Sequence, residues 1–255
     1  MNFKKLFDLT GKIAIITGAS KGLGRSYSLA LSSAGCLCIL IGRNEQQLAK
    51  TQAMIRADNG KSMIYRIDLT DRTAMETMVN QLAAKFRHID ILVNNAGYEH
   101  TQPFLAADET TYRAIMDINL KSVFFLSQKV ARLMAKAKQG KIINIGSLGS
   151  YIGLPESAIY CSSKGAINQL TKTMAVELAK YNIQVNEIVP GYFFTEMTQP
   201  FFADKTHKKW IESRIPIGRV GECQDLAGPV IFLSSQASDY MTGQSLIVDG
   251  GWLSS

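Results

Sequence analysis

The stretch KIAIITGASKGLG, residues 12–24, joins a buried β-strand to a glycine-rich turn. Its first half is a short apolar run with several β-branched residues, which is typical of a strand covered on both faces. Its second half has glycines at positions 18, 22 and 24, and a helical pattern follows. Glycine lets the chain turn tightly, and backbone N–H groups at the start of a helix can bind phosphate. The stretch therefore predicts a strand, a phosphate-binding turn and a helix, as in dinucleotide-binding domains.

The same alternation of apolar runs and helical patterns continues along the chain. Six more such runs are CLCILIG (36–42), SMIYRID (62–68), IDILVNN (89–95), KIINIGS (141–147), IQVNEIV (183–189) and QSLIVDG (244–250). The stretches between them have the 3.6-residue periodicity of amphipathic helices, and one long helix is predicted over 108–137. Repeated strand–helix–strand units build a parallel sheet with helices on both faces. We therefore predict an α/β fold with a doubly wound, Rossmann-type sheet of about seven strands.

The organisation of the chain favours one domain. No linker rich in proline or serine divides the 255 residues, and no internal repeat is found. We expect a single domain over 1–255, with a cofactor half (roughly 1–140) and a catalytic and substrate half (roughly 141–255) that are not separate domains. In sheets of this kind, ligands bind at the carboxyl ends of the strands.

The composition excludes several classes of protein. Hydrophobic residues make up 46% of the chain and charged residues 19%, as expected for a soluble globule with a substantial core. No apolar run reaches the roughly 18 residues that a membrane span needs. The start of the chain lacks the pattern of a secretory signal, so we expect a cytoplasmic location and no membrane partner.

Cysteine, histidine and charge carry little functional signal. Four cysteines occur without a CxxC pair and without clustering near histidine, so we expect free thiols and no metal site. The net charge is +7, but the basic residues are scattered. This pattern does not favour nucleic-acid binding and is compatible with an anionic cofactor or an acidic substrate.

The pentapeptide YCSSK, residues 160–164, places a lysine four positions after a tyrosine. On a helix these residues share a face, so the Lys164 ammonium can lie beside the Tyr160 phenol. A positive charge there favours phenolate and lowers the phenol pKa from its usual value of about 10. An isolated pair of this kind is ordinarily a solvated helix surface, so its context decides.

The spacing GxxxGxG in TGASKGLG, taken with YCSSK, resembles the short-chain dehydrogenase/reductase family over essentially the whole chain. Further matching motifs are NNAG (94–97), Ser147 thirteen residues before Tyr160, Asn119 in MDINLKSVF, and Pro190–Gly191. Within the family, IPIGRVGECQDLAGP and SDYMTGQSLIVDGGWL are most similar to bacterial sugar-acid dehydrogenases. These are the gluconate 5-dehydrogenase and 2-dehydro-3-deoxy-gluconate 5-dehydrogenase groups.

The resemblance implies roles for individual residues. Tyr160 would exchange a proton with the substrate oxygen, Ser147 would hydrogen-bond that oxygen, Lys164 would hold the nicotinamide ribose, and Asn119 would organise a water path from Lys164. The predicted cofactor-binding residues are Thr17, Gly18, Ser20, Lys21, Gly22, Leu23, Gly24, Arg43, Asp68, Leu69, Asn95, Ala96, Gly97, Tyr160, Lys164, Pro190, Gly191 and Thr195.

The end of the second strand indicates the choice of cofactor. Enzymes that use NAD usually have an acid there, which accepts hydrogen bonds from the adenosine ribose. Here the strand ends in Gly42, Arg43 and Asn44, and Glu45 falls within the next helix. Arg43 suits a 2′-phosphate, and Lys21 in the glycine turn could reach the same group. We therefore expect NADP(H) to be preferred over NAD(H).

Three functions stay open at this stage. The first is an NAD(P)-dependent oxidoreductase that interconverts a secondary alcohol and a ketone, with a sugar acid such as a keto-gluconate as its small-molecule substrate. The second is a 3-oxoacyl-[acyl-carrier-protein] reductase, which has the same catalytic set. The third is a non-catalytic dinucleotide-binding sensor, against which the retention of Tyr160 and Lys164 argues.

Two further expectations concern assembly and substrate access. The resemblance implies a homo-oligomer, a tetramer or a dimer, and the family commonly forms tetramers through the two long helices and the C-terminal segment. Residues 192–215 carry several aromatic side chains, namely Phe193, Phe194, Phe201, Phe202 and Trp210. This segment is interpreted as a lid over the substrate, with a packing patch or a subunit contact as the alternative.

Overall fold

The computed structural model describes residues 3–196 and 198–255 and contains one seven-stranded sheet within them. All neighbouring strands run parallel, in the order β3-β2-β1-β4-β5-β6-β7. The strands are β1 (Ile13–Thr17), β2 (Leu37–Gly42), β3 (Lys61–Arg66), β4 (Ile91–Asn94), β5 (Gly140–Ile145), β6 (Ile183–Pro190) and β7 (Ser245–Val248). Each lies within one or two residues of a predicted apolar run, so the predicted fold class is confirmed.

Helices connect the strands. They are α1 (Gly22–Ser33), α2 (Glu45–Ala57), α3 (Arg72–Lys85), α4 (Glu109–Met116), α5 (Ser122–Ala137), α6 (Ala158–Leu178), α7 (Gln199–Ala203), α8 (Lys205–Arg214) and α9 (Ala227–Ser234). Side-chain caps fix several of the starts: Asn44 accepts from the Gln47 N–H before α2, and Asp71 accepts from the Ala74 N–H before α3.

The sheet is covered on both faces by helices. Alternate residues along a strand point to opposite sides, so Ile16 of β1 packs into one core and Ile15 into the other. The first core lies under α1, α2 and α9, and the second lies under α3, α5 and α6. A third, smaller cluster joins Leu148, Phe202, Ile211, Ile215 and Trp252 beyond the end of the sheet.

The direction in which successive strands are added to the sheet reverses at its middle. Strands β2 and β3 lie on one side of β1, whereas β4 to β7 lie on the other. The connections that leave β1 and β4 therefore diverge and open a crevice at the carboxyl edge, where doubly wound sheets bind their ligands.

The prediction of a single long helix over 108–137 is wrong in one respect. It is divided into α4, a wider π-helical turn at Asp117–Lys121, and α5. Asp108 caps the start by accepting from the Thr111 N–H, and the end at Ala137 agrees with the prediction. The π turn carries Asn119, and π turns often occur at functional sites.

Two predicted properties of the chain can be compared directly with the structure. All four cysteines are free thiols; Cys36 and Cys38 are buried, and Cys161 and Cys223 are half-buried. Among the described residues, no helix combines the length and the apolar character that a membrane crossing requires.

Candidate active site

A cavity of about 1100 Å³ lies along the carboxyl edge of the sheet. Seventeen of the eighteen predicted cofactor-binding residues line it, as does the predicted catalytic residue Ser147. The remaining two predicted residues do not line it. They are Thr17, from the cofactor set, and Asn119, from the catalytic set.

The glycine turn forms one end of the cavity. Gly18 and Gly22 adopt left-handed backbone conformations, with φ of +66° and +52°, which side chains other than glycine rarely tolerate. A side chain at Gly24 would overlap the carbonyl oxygen of Gly18, so only glycine lets α1 approach β1 this closely. The first backbone N–H groups of α1 consequently stand at the cavity, where a helix can bind phosphate.

Thr17 does not line the cavity, and its side chain instead links two parts of the backbone. Its buried hydroxyl accepts hydrogen bonds from the backbone N–H groups of Asn95 and Ala96, each at 2.9 Å. The same hydroxyl donates to the Val93 carbonyl at 3.3 Å. Thr17 therefore ties the end of β1 to the loop after β4, and so holds the two sides of the crevice in register.

Tyr160, Ser147 and Lys164 meet near the middle of the cavity. Tyr160 lies in the first turn of α6, and Ser147 lies two residues after the end of β5. The Lys164 Nζ lies 5.7 Å from the centre of the Tyr160 ring and donates to the Ile145 carbonyl at 2.8 Å. Tyr160 and Lys164 therefore lie on the same face of α6, as predicted.

The pKa of Tyr160 does not follow the sequence-based expectation. Burial raises it above the usual phenol value, and the Glu99 carboxylate raises it further. A side-chain hydrogen bond with Ser147 acts in the opposite direction and lowers it. The expected lowering by Lys164 is not found: its ammonium is not among the groups that shift the pKa of Tyr160, and the loss of hydration at the buried phenol is the largest influence.

Lys164 is also buried, and burial lowers its pKa to about 8. Two carboxylates, Glu187 and Glu99, oppose that change because they favour the charged ammonium. Glu187 is wholly buried on β6, and its Oε2 accepts from Asn168 at 2.8 Å and from Ser245 at 2.7 Å. Its Oε1 has no hydrogen-bond partner among the described residues.

Asn119 lies behind the cavity wall. Its Oδ1 accepts from the Tyr98 N–H at 2.8 Å, and its Nδ2 donates to the Tyr98 carbonyl and to Ser163. A side chain on Gly97 would come within 3.4 Å of Asn119 Oδ1 and 3.9 Å of Lys164 Nζ. The amide therefore joins the π turn, the loop after β4 and α6 beside Lys164.

The two cations predicted for the cofactor phosphate line the cavity together with the glycine turn. Lys21 forms an ion pair of 2.9 Å with Glu196, and Arg43 Nη1 lies 3.8 Å from Asp68. All four side chains are substantially exposed to solvent, so both pairs are weak and their cations can be taken over by a more highly charged anion.

The other end of the cavity is lined by residues that the sequence analysis did not single out. They are Glu99, Tyr192, Arg214 and Trp252. The Cζ atom of Arg214 lies 5.7 Å from the ring centre of Trp210 and 5.3 Å from that of Trp252. Arg214 forms no ion pair within the described part of the chain. An acid two residues after NNAG is a usable signal for Glu99, whereas Arg214 and Trp252 are far from this motif in the sequence.

The segment predicted to be a lid combines buried and exposed aromatic residues. Phe193 and Phe202 are buried, whereas Phe194 is 57% and Trp210 49% exposed. Met197 and the side chain of Phe201 lie outside the residues that the structure describes. Trp210 also lines the cavity, so this segment borders it beside Arg214 and Trp252.

No group of three or more metal-ligating acids, cysteines or histidines occurs among residues 3–196 and 198–255. The hydrogen-bond donors that line the cavity are backbone N–H groups, hydroxyls and cationic side chains. These groups suit an organic anion with phosphate groups.

Comparisons with known proteins agree with this geometry. Residues 18–253 match a family model described as enoyl-(acyl carrier protein) reductase. The chain is 42% identical to 2-dehydro-3-deoxy-D-gluconate 5-dehydrogenase from Dickeya dadantii, covering 97% of each chain, and 39% identical to gluconate 5-dehydrogenase from Gluconobacter oxydans, covering 98% of each.

A solved structure gives the same result. The gluconate 5-dehydrogenase from Burkholderia cenocepacia, crystallised with NADP and tartrate, is 37% identical and superposes with a TM-score of 0.96 over the full length of both chains. Sequence motifs, sheet topology and full-length similarity therefore agree, and the chain belongs to the short-chain dehydrogenase/reductase family.

Proposed function

We propose that this protein is an NADP(H)-dependent oxidoreductase that interconverts a secondary alcohol and a ketone on a sugar acid. The observation that carries the proposal is the position of Tyr160, Ser147 and Lys164 in one cavity, next to a phosphate-binding glycine turn. Similarity to gluconate dehydrogenases over nearly the whole chain supports the substrate class.

The cavity fits a dinucleotide. The glycine turn and the start of α1 would hold the pyrophosphate, and Arg43 and Lys21 would bind the 2′-phosphate. Asp68 and Leu69 would border the adenine, and the loop containing Asn95 would border a ribose. When bound, NADPH supplies the hydride that reduces the carbonyl carbon.

The protein's own groups act on the carbonyl oxygen. Tyr160 would donate a proton to this oxygen during reduction and accept one from the alcohol during oxidation. The Ser147 hydroxyl would hydrogen-bond the oxygen as its charge changes. Lys164 would contribute positive charge beside the phenol and bind the nicotinamide ribose. The raised pKa of Tyr160 keeps it protonated at neutral pH, which suits the reductive direction.

Arg214 favours an acidic substrate. Its guanidinium lines the substrate end of the cavity, between two tryptophans, without a carboxylate partner among the described residues. A planar guanidinium can bind a carboxylate with two parallel hydrogen bonds. A small sugar acid would meet this requirement.

Two alternatives are weaker. A 3-oxoacyl thioester reductase would share the catalytic residues, and the description of the family model names an acyl-carrier-protein reductase. However, the two relatives compared above, at 42% and 39% identity, are named for gluconate derivatives. A non-catalytic sensor would not require Tyr160, Ser147 and Lys164 to be held together.

We further propose that the chain works as one domain in a cytoplasmic homo-oligomer. Several large apolar side chains are exposed on the outer surfaces of α5, α6 and β7, including Phe124, Val176 and Ile247. Their positions agree with the expectation that the long helices and the C-terminal segment form subunit contacts.

A panel of substrates tests the proposal. Reduction of 5-keto-gluconate and of an acetoacetyl thioester would be followed at saturating NADPH and at saturating NADH. We expect the highest kcat/KM with 5-keto-gluconate and NADPH. A kcat/KM for the thioester above that for 5-keto-gluconate would overturn the assignment of substrate.

A further inference from the structure

Glu99 is an acidic side chain inside the substrate end of the cavity. It lies in the loop after β4, two residues beyond Gly97, and is half-buried. Ser157 Oγ donates to its Oε1 at 3.0 Å. Ser157 directly precedes α6 and stands three residues before Tyr160, so this bond fixes Glu99 against the helix that carries the reacting phenol.

The second carboxylate oxygen of Glu99 is available to a ligand. Among the described residues, nothing donates a hydrogen bond to Oε2, and this oxygen is not among the buried atoms that lack a partner. A half-buried carboxylate with one oxygen anchored and the other open to a cavity is a preorganised hydrogen-bond acceptor.

The charge of Glu99 acts on the reacting groups. It raises the pKa values of Tyr160 and Tyr192 and favours the charged form of Lys164. Burial raises its own pKa, and the ammonium of Lys164 partly offsets this effect. Glu99 is therefore near the atoms at which a substrate carbonyl must lie, yet the mechanism above does not use it.

An acid at this place selects between substrates. An ionised carboxylate accepts hydrogen bonds and donates none, so it attracts hydroxyl groups and repels a second anion. A sugar acid has a carboxylate at one end and hydroxyls along the rest of its chain. Glu99 and Arg214 carry opposite charges within one cavity, so they would orient such a molecule in a single direction.

We propose that Glu99 is a substrate-binding residue. Its free oxygen accepts a hydrogen bond from a hydroxyl next to the reacting carbon, and its charge keeps the substrate carboxylate on the Arg214 side. This inference rests on the proposed function, and it adds that the preferred ketone must carry a neighbouring hydroxyl group.

Two ketones with the same carboxylate-to-carbonyl spacing test the role of Glu99. They are 5-keto-gluconate and 5-oxohexanoate, which lacks the hydroxyls. Each would be assayed at saturating NADPH with the wild type, Glu99→Ala and Glu99→Gln. Glu156→Gln is the matched control, because Glu156 lines the same cavity but is exposed, and its side chain makes no hydrogen bond within the described residues.

We expect Glu99→Ala to lower kcat/KM for 5-keto-gluconate by about 10- to 100-fold, the usual effect of losing a hydrogen bond to a charged group. The value for 5-oxohexanoate should stay unchanged, so the selectivity collapses. Glu99→Gln keeps an acceptor oxygen, so its kcat/KM for 5-keto-gluconate should fall between those of the wild type and Glu99→Ala. If the plain ketone reacts too slowly to follow, its competitive inhibition constant replaces kcat/KM.

Different failures have different meanings. An equal loss with both ketones, at unchanged NADPH affinity, would show that Glu99 only supports the structure and would overturn this inference alone. A ratio of kcat/KM for the two ketones that is the same in the wild type and in Glu99→Ala would also overturn this inference. A wild type that reduces acetoacetyl thioesters but neither keto acid would overturn the proposed substrate and the role of Glu99 with it.

Discussion

At the scale of single residues, the acidity of Tyr160 results from opposing influences. Burial and the Glu99 carboxylate hold the proton on the phenol, whereas the hydrogen bond with Ser147 favours its release. Lys164 lies next to the ring, but its own pKa is lowered to about 8 by burial. The site is therefore set for proton donation at neutral pH, and oxidation of the alcohol requires additional positive charge or a higher pH.

The pH profile should respond to Glu99. Replacing Glu99 with Gln removes a negative charge that stabilises both the protonated phenol and the lysine ammonium, so the pKa values of Tyr160 and Lys164 should both decrease. The rate of alcohol oxidation, which needs phenolate, should then rise at a lower pH than in the wild type. Profiles of kcat/KM between pH 6 and 10 measure the change.

Glu156→Gln serves again as the control for that profile. The charged or titratable groups around Tyr160 are Glu99, Lys164 and Cys161, and Glu187 acts through Lys164. Of these, only Glu99 is changed by the test substitution. A profile that stayed in place, or moved to higher pH, would show that Glu99 does not act on the phenol.

The choice of cofactor is a second residue-scale prediction. In Gly42→Asp with Arg43→Leu, the cation is removed and an acid is introduced at the end of β2. A side chain at Gly42 would meet Leu48 and Ser20 only at ordinary contact distances, so the substitution is accommodated. We expect the NADPH/NADH ratio of kcat/KM to fall by about tenfold or more.

A distant arginine provides the comparison for this change. Arg56, exposed near the end of α2, can be replaced with Leu without altering the cavity. The Arg56→Leu protein should keep the wild-type cofactor ratio. A wild type that uses NADH as well as NADPH would refute the role given to Arg43.

At the scale of secondary-structure elements, the glycine turn is the most constrained. Ala at position 24 would place a methyl group against the Gly18 carbonyl and push α1 away from β1. We expect Gly24→Ala to weaken NADPH binding by at least about tenfold and to lower the free energy of unfolding by about 1–3 kcal/mol. Cofactor fluorescence titration and urea unfolding measure these two effects.

Gly228→Ala in α9 is the control, because nothing lies within 4 Å of a side chain there. It should bind NADPH normally and be as stable as the wild type or slightly more stable. Equal behaviour of the two variants would contradict the close packing of α1 on β1.

Elements with a strong local signal could be predicted from the sequence. The strands were found because buried parallel strands are continuous apolar runs, and Glu45 was correctly placed within α2. The π turn at Asp117–Lys121 was not found, because its residues continue the helical periodicity of α4 and α5. Asn119 was identified through a resemblance, whereas its bonds to Tyr98 and Ser163 depend on tertiary contacts.

At the scale of the whole molecule, the topology brings distant parts of the chain to one cavity. The residues of recognisable motifs were predictable, and nearly all of them line it. Arg214 and Trp252 lie outside any motif, and Glu187 is hidden within β6. Nothing in their local sequence shows that Arg214 and Trp252 reach the cavity or that Glu187 acts on Lys164, so only the assembled fold identifies them.

Assembly can be tested on the outer layer of helices. Val176 on α6 is 81% exposed, although it is a large apolar residue, and Phe124 on α5 is also exposed. In the proposed homo-oligomer they are covered by a second copy, so Val176→Glu should reduce the oligomer to a smaller species. Light scattering coupled to size exclusion gives the mass, and a monomeric wild type would contradict the proposal.

The central claim is that Tyr160 transfers the proton while hydride moves to the carbonyl. Single-turnover oxidation of bound NADPH by 5-keto-gluconate, in the wild type and in Tyr160→Phe, tests it most directly. The account predicts that Tyr160→Phe folds and binds NADPH nearly as the wild type does but loses most of its rate, by about 10²-fold or more. A Tyr160→Phe protein that oxidised NADPH at a rate close to that of the wild type would contradict the mechanism.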